Sequence, residues 1–383
     1  MLVIALGTIA SGSTWAFNVA RGVFARVRPQ AVSLSVGHAS DLLANISPDF
    51  RDVIVKAHFL DNWLLTLAAL FQAKVIVTTR DPRDSLVSQR ERFGATLHEA
   101  VTDLTRSAAT LATLHESVPV LRLRYEDGFM NRPETVERIA AFLELPIDRG
   151  EAGCIFDEYR AENVTRAVDR WQSTGKLKET GYEAATHWHE GHVGDCVSGK
   201  WRQRLRSDDQ EAVMGAVGSD LLDSAIPEEI YWSPKLFTYF DERSGSSAEI
   251  LNCNGEEQAL LWGPYQHLPT GHWRISPQIT LDTPAQPLSI RVDTFIPVQG
   301  REVLALRVIN LPASSPERLV MEFDHYNHLD PIELRISSIG DCRQGRITFR
   351  GAELKRLGPS ERTECLAARP VRAEPRPLSP QVA

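Results

Sequence analysis

The sequence predicts an α/β domain, three layers around a parallel central sheet, followed by an all-β sandwich. Three observations predict it. Before Ser244-Gly245-Ser246-Ser247, short β-branched runs alternate with long helical patterns, which implies a parallel sheet covered on both faces. After that break, period-two runs follow one another with turn residues between them and no long helical pattern. The length of 383 residues leaves room for two domains of ordinary size. The expected division is 1–244 for the α/β domain and 245–367 for the sandwich, with 368–383 as a proline-rich disordered tail.

The elements follow in chain order. Residues 1–6 are apolar but short, lack a basic lead and run into a glycine-containing loop. They are expected to form a first strand and not a signal peptide. Runs 53–57, 74–79 and 118–124 read as further strands, and 97–115 and 133–145 as helices. In the second helix Pro133 suits the first turn, while Val136, Ile139, Ala140 and Leu143 share one face. Ser207 followed by Gln210 resembles a capping box opening another helix. Sandwich strands are expected at 289–295, 303–310, 319–324, 332–336 and 346–350.

Composition narrows the function. A hydrophobic fraction of 43% with 24% charged residues is that of a globular chain and excludes a mostly disordered, collagen-like or disulfide-scaffold protein. No apolar run reaches the roughly 18 to 20 residues of a membrane span. Cys154, Cys196, Cys253, Cys342 and Cys365 are scattered and never form Cys-x-x-Cys, so no disulfide or cysteine-rich metal site is expected, and a reducing cytoplasm fits. The net charge of −8 argues against nucleic acid as a partner. Residues 245–383 hold 15 basic and 16 acidic side chains, against 27 and 34 in 1–244, so any cationic cluster in the α/β part stands against an acidic background.

Three strand ends carry chemistry. The first strand leads into Gly7-Thr8-Ile9-Ala10-Ser11-Gly12-Ser13-Thr14, after which a helical pattern begins at Trp15. Such a loop turns backbone N–H groups toward an anion at a helix N-terminus. Its spacing is that of the G-x-x-x-x-G-K-[ST] phosphate loop, with Ser13 at the lysine position, which disfavours an ATPase or kinase. The second strand end, Lys56-Ala57-His58, places a cation and a potential general base on one side of the strand near that loop. The third runs into Arg80-Asp81-Pro82-Arg83-Asp84-Ser85-Leu86-Val87-Ser88, where Arg80 and Ser88 can grip one phosphate. Taken singly, each also fits a structural role: a tight capped turn, a satisfied histidine, an Arg–Asp pair at a helix start.

Together these segments resemble the sulfotransferases that use 3′-phosphoadenosine 5′-phosphosulfate (PAPS). Leu121-Arg122-Leu123-Arg124-Tyr125-Glu126-Asp127 with Arg132-Pro133, and Gly199-Lys200-Trp201-Arg202, are similar to two further segments of that family, so the resemblance spans about residues 1 to 225. It implies that Ser11, Gly12, Ser13 and Thr14 hold the 5′-phosphosulfate and that Trp15 lies by the adenine. It implies that Arg80 and Ser88 bind the 3′-phosphate, with Lys200 and Arg202 as substitutes for the family's late cations. His58 would deprotonate an acceptor hydroxyl, and Lys56 would stabilise charge on the transferring group. No metal is implied.

Two departures stand out. The family's loop cation is replaced by Ala10, and its late Arg-Lys-Gly by Gly194-Asp195-Cys196. Losing a charge-stabilising group of this kind costs about 10² to 10³ in rate, so a non-catalytic nucleotide- or glycan-binding relative is an alternative. His187-Trp188-His189-Glu190-Gly191-His192 could bind zinc, or form a loop beside the acceptor pocket. Glu126 and Asp127 fit a structural role at a strand end. In the second domain, Leu261-Trp262-Gly263-Pro264-Tyr265 and Leu268-Pro269 with Gly271, Trp273 and Arg274 look like sandwich modules of glycan-processing enzymes. Trp262, Tyr265 and Trp273 are candidates for sugar stacking, or fill the core. The acceptor so implied is a carbohydrate or glycolipid hydroxyl.

Overall fold

The structure, a computed structural model, describes residues 1–46, 52–114, 118–177, 181–218, 227–240, 249–253, 258–281, 288–297, 302–311, 319–339 and 345–360. The α/β part runs β1 (Leu2–Gly7), α1 (Ser13–Val27), β2 (Val32–Ser35), α2 (Ala39–Asn45), β3 (Val53–Ala57), α3 (Asn62–Leu70), β4 (Lys74–Thr79), α4 (Pro82–Phe93), α5 (Leu97–Thr113), β5 (Val120–Arg124), α6 (Glu134–Leu143), α7 (Arg149–Glu158), α8 (Ala161–Ser173), α9 (Trp201–Arg204) and α10 (Ser207–Val217). Its strands form one parallel sheet in the order β2-β3-β1-β4-β5. The expected runs 53–57 and 74–79 are β3 and β4 to the residue.

The sheet separates two cores because successive strand residues face opposite ways. Val3, Ala5, Ile54 and Ile76 pack with Phe17, Val23, Ile139 and Ile155 of α1, α6 and α7. Ile4, Leu6, Val55, Val75 and Val77 face Leu64 of α3, Leu86 of α4 and Leu104 of α5. Thr96 and Glu99 form a capping box ahead of α5, and Asp148 and Glu151 form one ahead of α7. The capping box expected at Ser207 is not formed: Ser207 is already inside α10, and Gln210 Nε2 donates to Leu205 O instead.

Two antiparallel sheets make the sandwich. One has the order β13 (Met321–His325), β10 (Gly271–Leu281), β15 (Gly345–Gly358), β6 (Glu229–Trp232), with β8 (Glu249–Cys253) also on β15. The other has the order β12 (Glu302–Leu311), β11 (Leu288–Ile296), β14 (Pro331–Ser338), β9 (Gln258–His267), β7 (Thr238–Tyr239). The 244/245 boundary lies outside the described residues. Strands β6 and β7, however, precede it and already pair with β15 and β9, so the sandwich recruits chain that the sequence reading assigned to the first domain. The 368–383 tail also lies outside the described residues.

The domains share a packed, hydrogen-bonded seam. Helix α5 packs on β9 and α10 on β6, so the core below the parallel sheet runs on into the sandwich. Thr105 Oγ1 donates to Gln266 Oε1 at 2.8 Å, and both side chains are buried. Among the described residues, no helix is long and apolar enough to cross a membrane.

Candidate active site

The carboxyl ends of β1, β3 and β4 open on one cavity of about 680 Å³, where a sheet of this type takes its ligand. After β1 the chain turns sharply. Ala10 (φ 64°) and Gly12 (φ 86°) are both left-handed, and Gly12 caps α1. A Cβ on Gly12 would lie 2.8 Å from Met130 Sδ and 3.0 Å from Phe129, so a side chain is excluded there on both counts. Gly12, Ser13, Thr14 and Trp15 line the cavity. Ser11 does not: its hydroxyl is fully buried, donating to Thr8 O at 2.6 Å and bonding Thr78 Oγ1 at 2.7 Å, so its side chain holds the loop to β4.

Lys56 and His58 reach the same cavity from β3. His58 Nδ1 lies 2.8 Å from Gly7 O, and a carbonyl can only accept, so Nδ1 carries the proton. Nε2 then offers its lone pair, 3.2 Å from Lys56 Nζ. Burial, and after it the Lys56 ammonium, pushes His58 down to about 3. Burial alone lowers Lys56 to about 8. The pair is a neutral base held beside a cation that deprotonates easily for a lysine.

From β4 and α4 come Arg80 and Ser88. Arg80 is 3% exposed, donates to Ser88 Oγ at 3.0 Å, Ala10 O at 3.1 Å and Val197 O at 2.9 Å, and lies 3.9 Å above the Tyr125 ring. One helical turn beyond Ser88, Arg92 lines the same cavity, its Nε donating to Gly191 O at 3.0 Å. Burial, then the Arg80 charge, lowers Arg92. Among the described residues, neither guanidinium has a carboxylate at ion-pair distance. The buried Arg80 Nε and Trp15 Nε1 have no hydrogen-bond partner. Two unneutralised cations with spare buried donors beside a left-handed loop suit a multiply charged anion carrying a planar base, so the residues present fit a phosphorylated nucleotide.

The late segment departs from expectation. Lys200 lies outside the cavity because its ammonium is held by Glu91 at 2.7 Å and Asp195 at 3.3 Å. Arg202 is exposed and sits over the Trp201 ring at 4.5 Å. This segment is pinned to α4 instead, where Asp84 accepts from the N–H groups of Gly199 and Trp201. Arg92 was missed by the motif reading. Its signal was there, since a position four residues after Ser88 shares its helix face.

His187, His189 and His192 line the cavity with Tyr159 and Tyr182. Burial comes first among the causes that lower all three, holding His187 at about 4 and His192 at about 3. Among the described residues no His, Cys, Asp or Glu group has the arrangement of a metal site, so the zinc reading of this segment gains no geometric support. Glu126 is structural, its Oε1 accepting from Asp81 N at 2.8 Å at the start of α4. In the sandwich, Trp273 is fully buried and donates to Pro269 O at 3.0 Å. Tyr265 stacks on His98 of α5 with ring centroids 5.9 Å apart, inside the domain seam. Trp262 is half-buried within β9. Trp273 therefore fills the core and Tyr265 joins the seam, so neither stands on an open sugar-stacking platform.

A parallel α/β sheet with a left-handed strand–helix loop, a neutral histidine beside a lysine cation and, among the described residues, two arginines without a carboxylate at ion-pair distance suits a domain that acts with a phosphorylated nucleotide. Residues 38–221 match the family model described as sulfotransferase domain. Among solved structures, the chain is similar to retinol dehydratase in complex with androsterone and the inactive cofactor PAP, at 16% identity over 58% of this chain and 81% of that one, with a TM-score of 0.42. It is also similar to a mouse sulfotransferase complexed with PAP, at 14% identity over 58% and 86%, with a TM-score of 0.41. A structure reported as "CBM4 structure and function" is similar over 33% of this chain and 86% of that one, at 14% identity and a TM-score of 0.23. No curated protein matches the chain.

Proposed function

We propose that the protein transfers a sulfuryl group from PAPS to a hydroxyl of a carbohydrate or glycolipid acceptor. The observation that carries the reading is the His58–Lys56 pair, with Nδ1 tied to Gly7 O and Nε2 turned to Lys56 Nζ, in one cavity with the phosphate loop and two free arginines. PAPS supplies the activated S–O bond. His58 Nε2 takes the acceptor proton as the acceptor oxygen bonds to sulfur and the bond from sulfur to the 5′-phosphate oxygen breaks. Lys56 shifts from His58 to the sulfuryl oxygens, and the N–H groups of Gly12 to Thr14 face the leaving phosphate, where charge accumulates. Arg80, Ser88 and Arg92 hold the 3′-phosphate, with Arg92 taking the place of the late cations. An acceptor sugar is supported by the mixed aromatic and hydrogen-bonding lining of Tyr159, Tyr182 and His187.

Calorimetry with 3′,5′-ADP, ADP and ATP tests the reading. Strong preference for 3′,5′-ADP, followed by turnover in a screen of glycan acceptors, is the expected result. Magnesium-dependent preference for ATP would move the domain to the kinases. Tight 3′,5′-ADP binding with no PAPS turnover, even to water, would favour the non-catalytic relative that Ala10 suggests.

A further inference from the structure

Two neighbouring side chains of the sandwich reach the region of the β3–α3 turn, Asn327, which accepts from Asn62 Nδ2 at 3.4 Å, and the buried His328. His328, in the turn between β13 and β14, is fully buried, and its Nε2 lies 2.8 Å from the carbonyl oxygen of Leu60. That carbonyl can only accept, so Nε2 carries the proton, and the buried Nδ1 is left without a partner. Leu60 is itself fully buried and stands two residues after His58. The next residue, Asp61, caps α3 through Leu64 N at 2.7 Å and also accepts from Ala39 N at 3.0 Å. Two further bonds order the turn carrying His328: His267 Nδ1 lies 3.2 Å from His328 O, and Asn327 Oδ1 accepts from Leu329 N at 3.3 Å.

From this we infer that His328 is a positioning residue for His58, and that the sandwich serves the catalytic domain by clamping the turn that holds the general base. The inference rests on the proposed role of His58. Gly7 O orients the ring at one end, and the Leu60 clamp fixes the backbone from which the ring projects. Without the clamp, the 58–61 turn loses its buried hydrogen bond to the sandwich, the neighbouring Asn62 Nδ2 keeps a longer one to Asn327 Oδ1 at 3.4 Å, and His58 Nε2 loses its registration with Lys56 Nζ. A misplacement of about 1 Å at a reacting group can cost about 10² in rate.

The test uses the full chain with histidine labelled in nitrogen-15, and reads solvent exchange of the His58 Nδ1 proton, identified by its loss in His58→Asn. His328→Phe keeps a buried ring without the donor, His328→Gln restores an N–H donor, and Thr105→Val cuts a different bond of the same seam. His328→Phe is expected to speed exchange at least about tenfold as local opening becomes easier. Its rate of PAPS hydrolysis should fall by a similar factor or more, with the 3′,5′-ADP dissociation constant unchanged within about twofold. His328→Gln should recover most of both, and Thr105→Val should lower Tm while moving neither. Unchanged exchange in His328→Phe, or equal acceleration in Thr105→Val, would overturn the inference. Undiminished PAPS hydrolysis in His58→Asn would instead remove His58 as the base, a separate failure.

Discussion

Lys56 Nζ lies 3.2 Å from His58 Nε2, so the ammonium donates to the lone pair that an acceptor hydroxyl would use. The contact lets one residue gate the other: Lys56 must turn to a more negative partner before His58 can act. The two lowered pKa values, about 3 for His58 and about 8 for Lys56, leave both groups in working form at neutral pH.

The pH dependence follows. His58 stays unprotonated far below the usual histidine range, so kcat/KM should hold steady from about pH 5 to 7 and fall above about pH 8 as Lys56 loses its proton. Lys56→Met should lower kcat about 10²-fold or more. It should also abolish the alkaline fall and shift the acid limb upward, because the ammonium is one of the groups holding the imidazole down. A pH–rate profile of both proteins checks this, and an alkaline limb that survives in Lys56→Met would contradict it.

The same substitution should stabilise the fold. A lysine whose folded pKa lies below its unfolded value costs stability fully below the folded value, and the cost vanishes above the unfolded one. Lys56 is lowered from 10.5 to about 8, so Lys56→Met should raise stability near pH 7 by up to about 3 kcal/mol, the gain fading between about pH 8 and 10. Thermal unfolding across that range reads it, and a loss of Tm at pH 7 would show that the ammonium holds more than it costs.

At the 3′-phosphate corner, Arg80→Lys should weaken 3′,5′-ADP binding by about 1.5–3 kcal/mol with little change for 5′-AMP, the worth of a hydrogen bond to a charged group. Arg92→Gln should do so by about tenfold, since it removes one of two guanidiniums and spares the loop contact of Arg80 to Ala10 O. Calorimetry with the two nucleotides separates these outcomes. A Lys200→Ala variant should leave both affinities unchanged, because its ammonium is spent on Glu91 and Asp195.

Ala10 lines the cavity in a left-handed conformation that lysine adopts at a similar cost. Ala10→Lys should therefore fold normally and return the missing cation to the leaving phosphate. Single-turnover transfer from PAPS should rise by up to about 10². No rise would mean that the loop amides and Lys56 already neutralise that charge.

The meeting of the three strand ends at one cavity was legible because each segment is local. Gly12-Ser13-Thr14, Lys56-x-His58 and Arg80 with Ser88 each lie within one strand end and the turn or first helical turns that follow it, and a parallel sheet brings its carboxyl ends together whatever else the chain does. Lys200 and Arg202 were misread for the opposite reason. Their place depends on Asp84, more than a hundred residues earlier, which seizes the backbone of Gly199 and Trp201, while Glu91 and Asp195 take up the Lys200 charge. Arg92 shares a helix face with Ser88 at a spacing of four, and the structure shows that this face of α4 lines the cavity. Strands β6 and β7 escaped because a short run declares its sheet only through the partner it pairs with.

The sequence by itself determined the domain order, the sheet class and the three strand ends that meet at the cavity, since hydrophobic period and turn chemistry act over a few residues. Only the tertiary structure decided which cations remain free, which aromatic side chains the sandwich keeps for its own core, and that His328 would close on Leu60. Those outcomes turn on competition among distant groups for the same buried hydrogen bonds and charges, and that competition is settled only when the chain is packed.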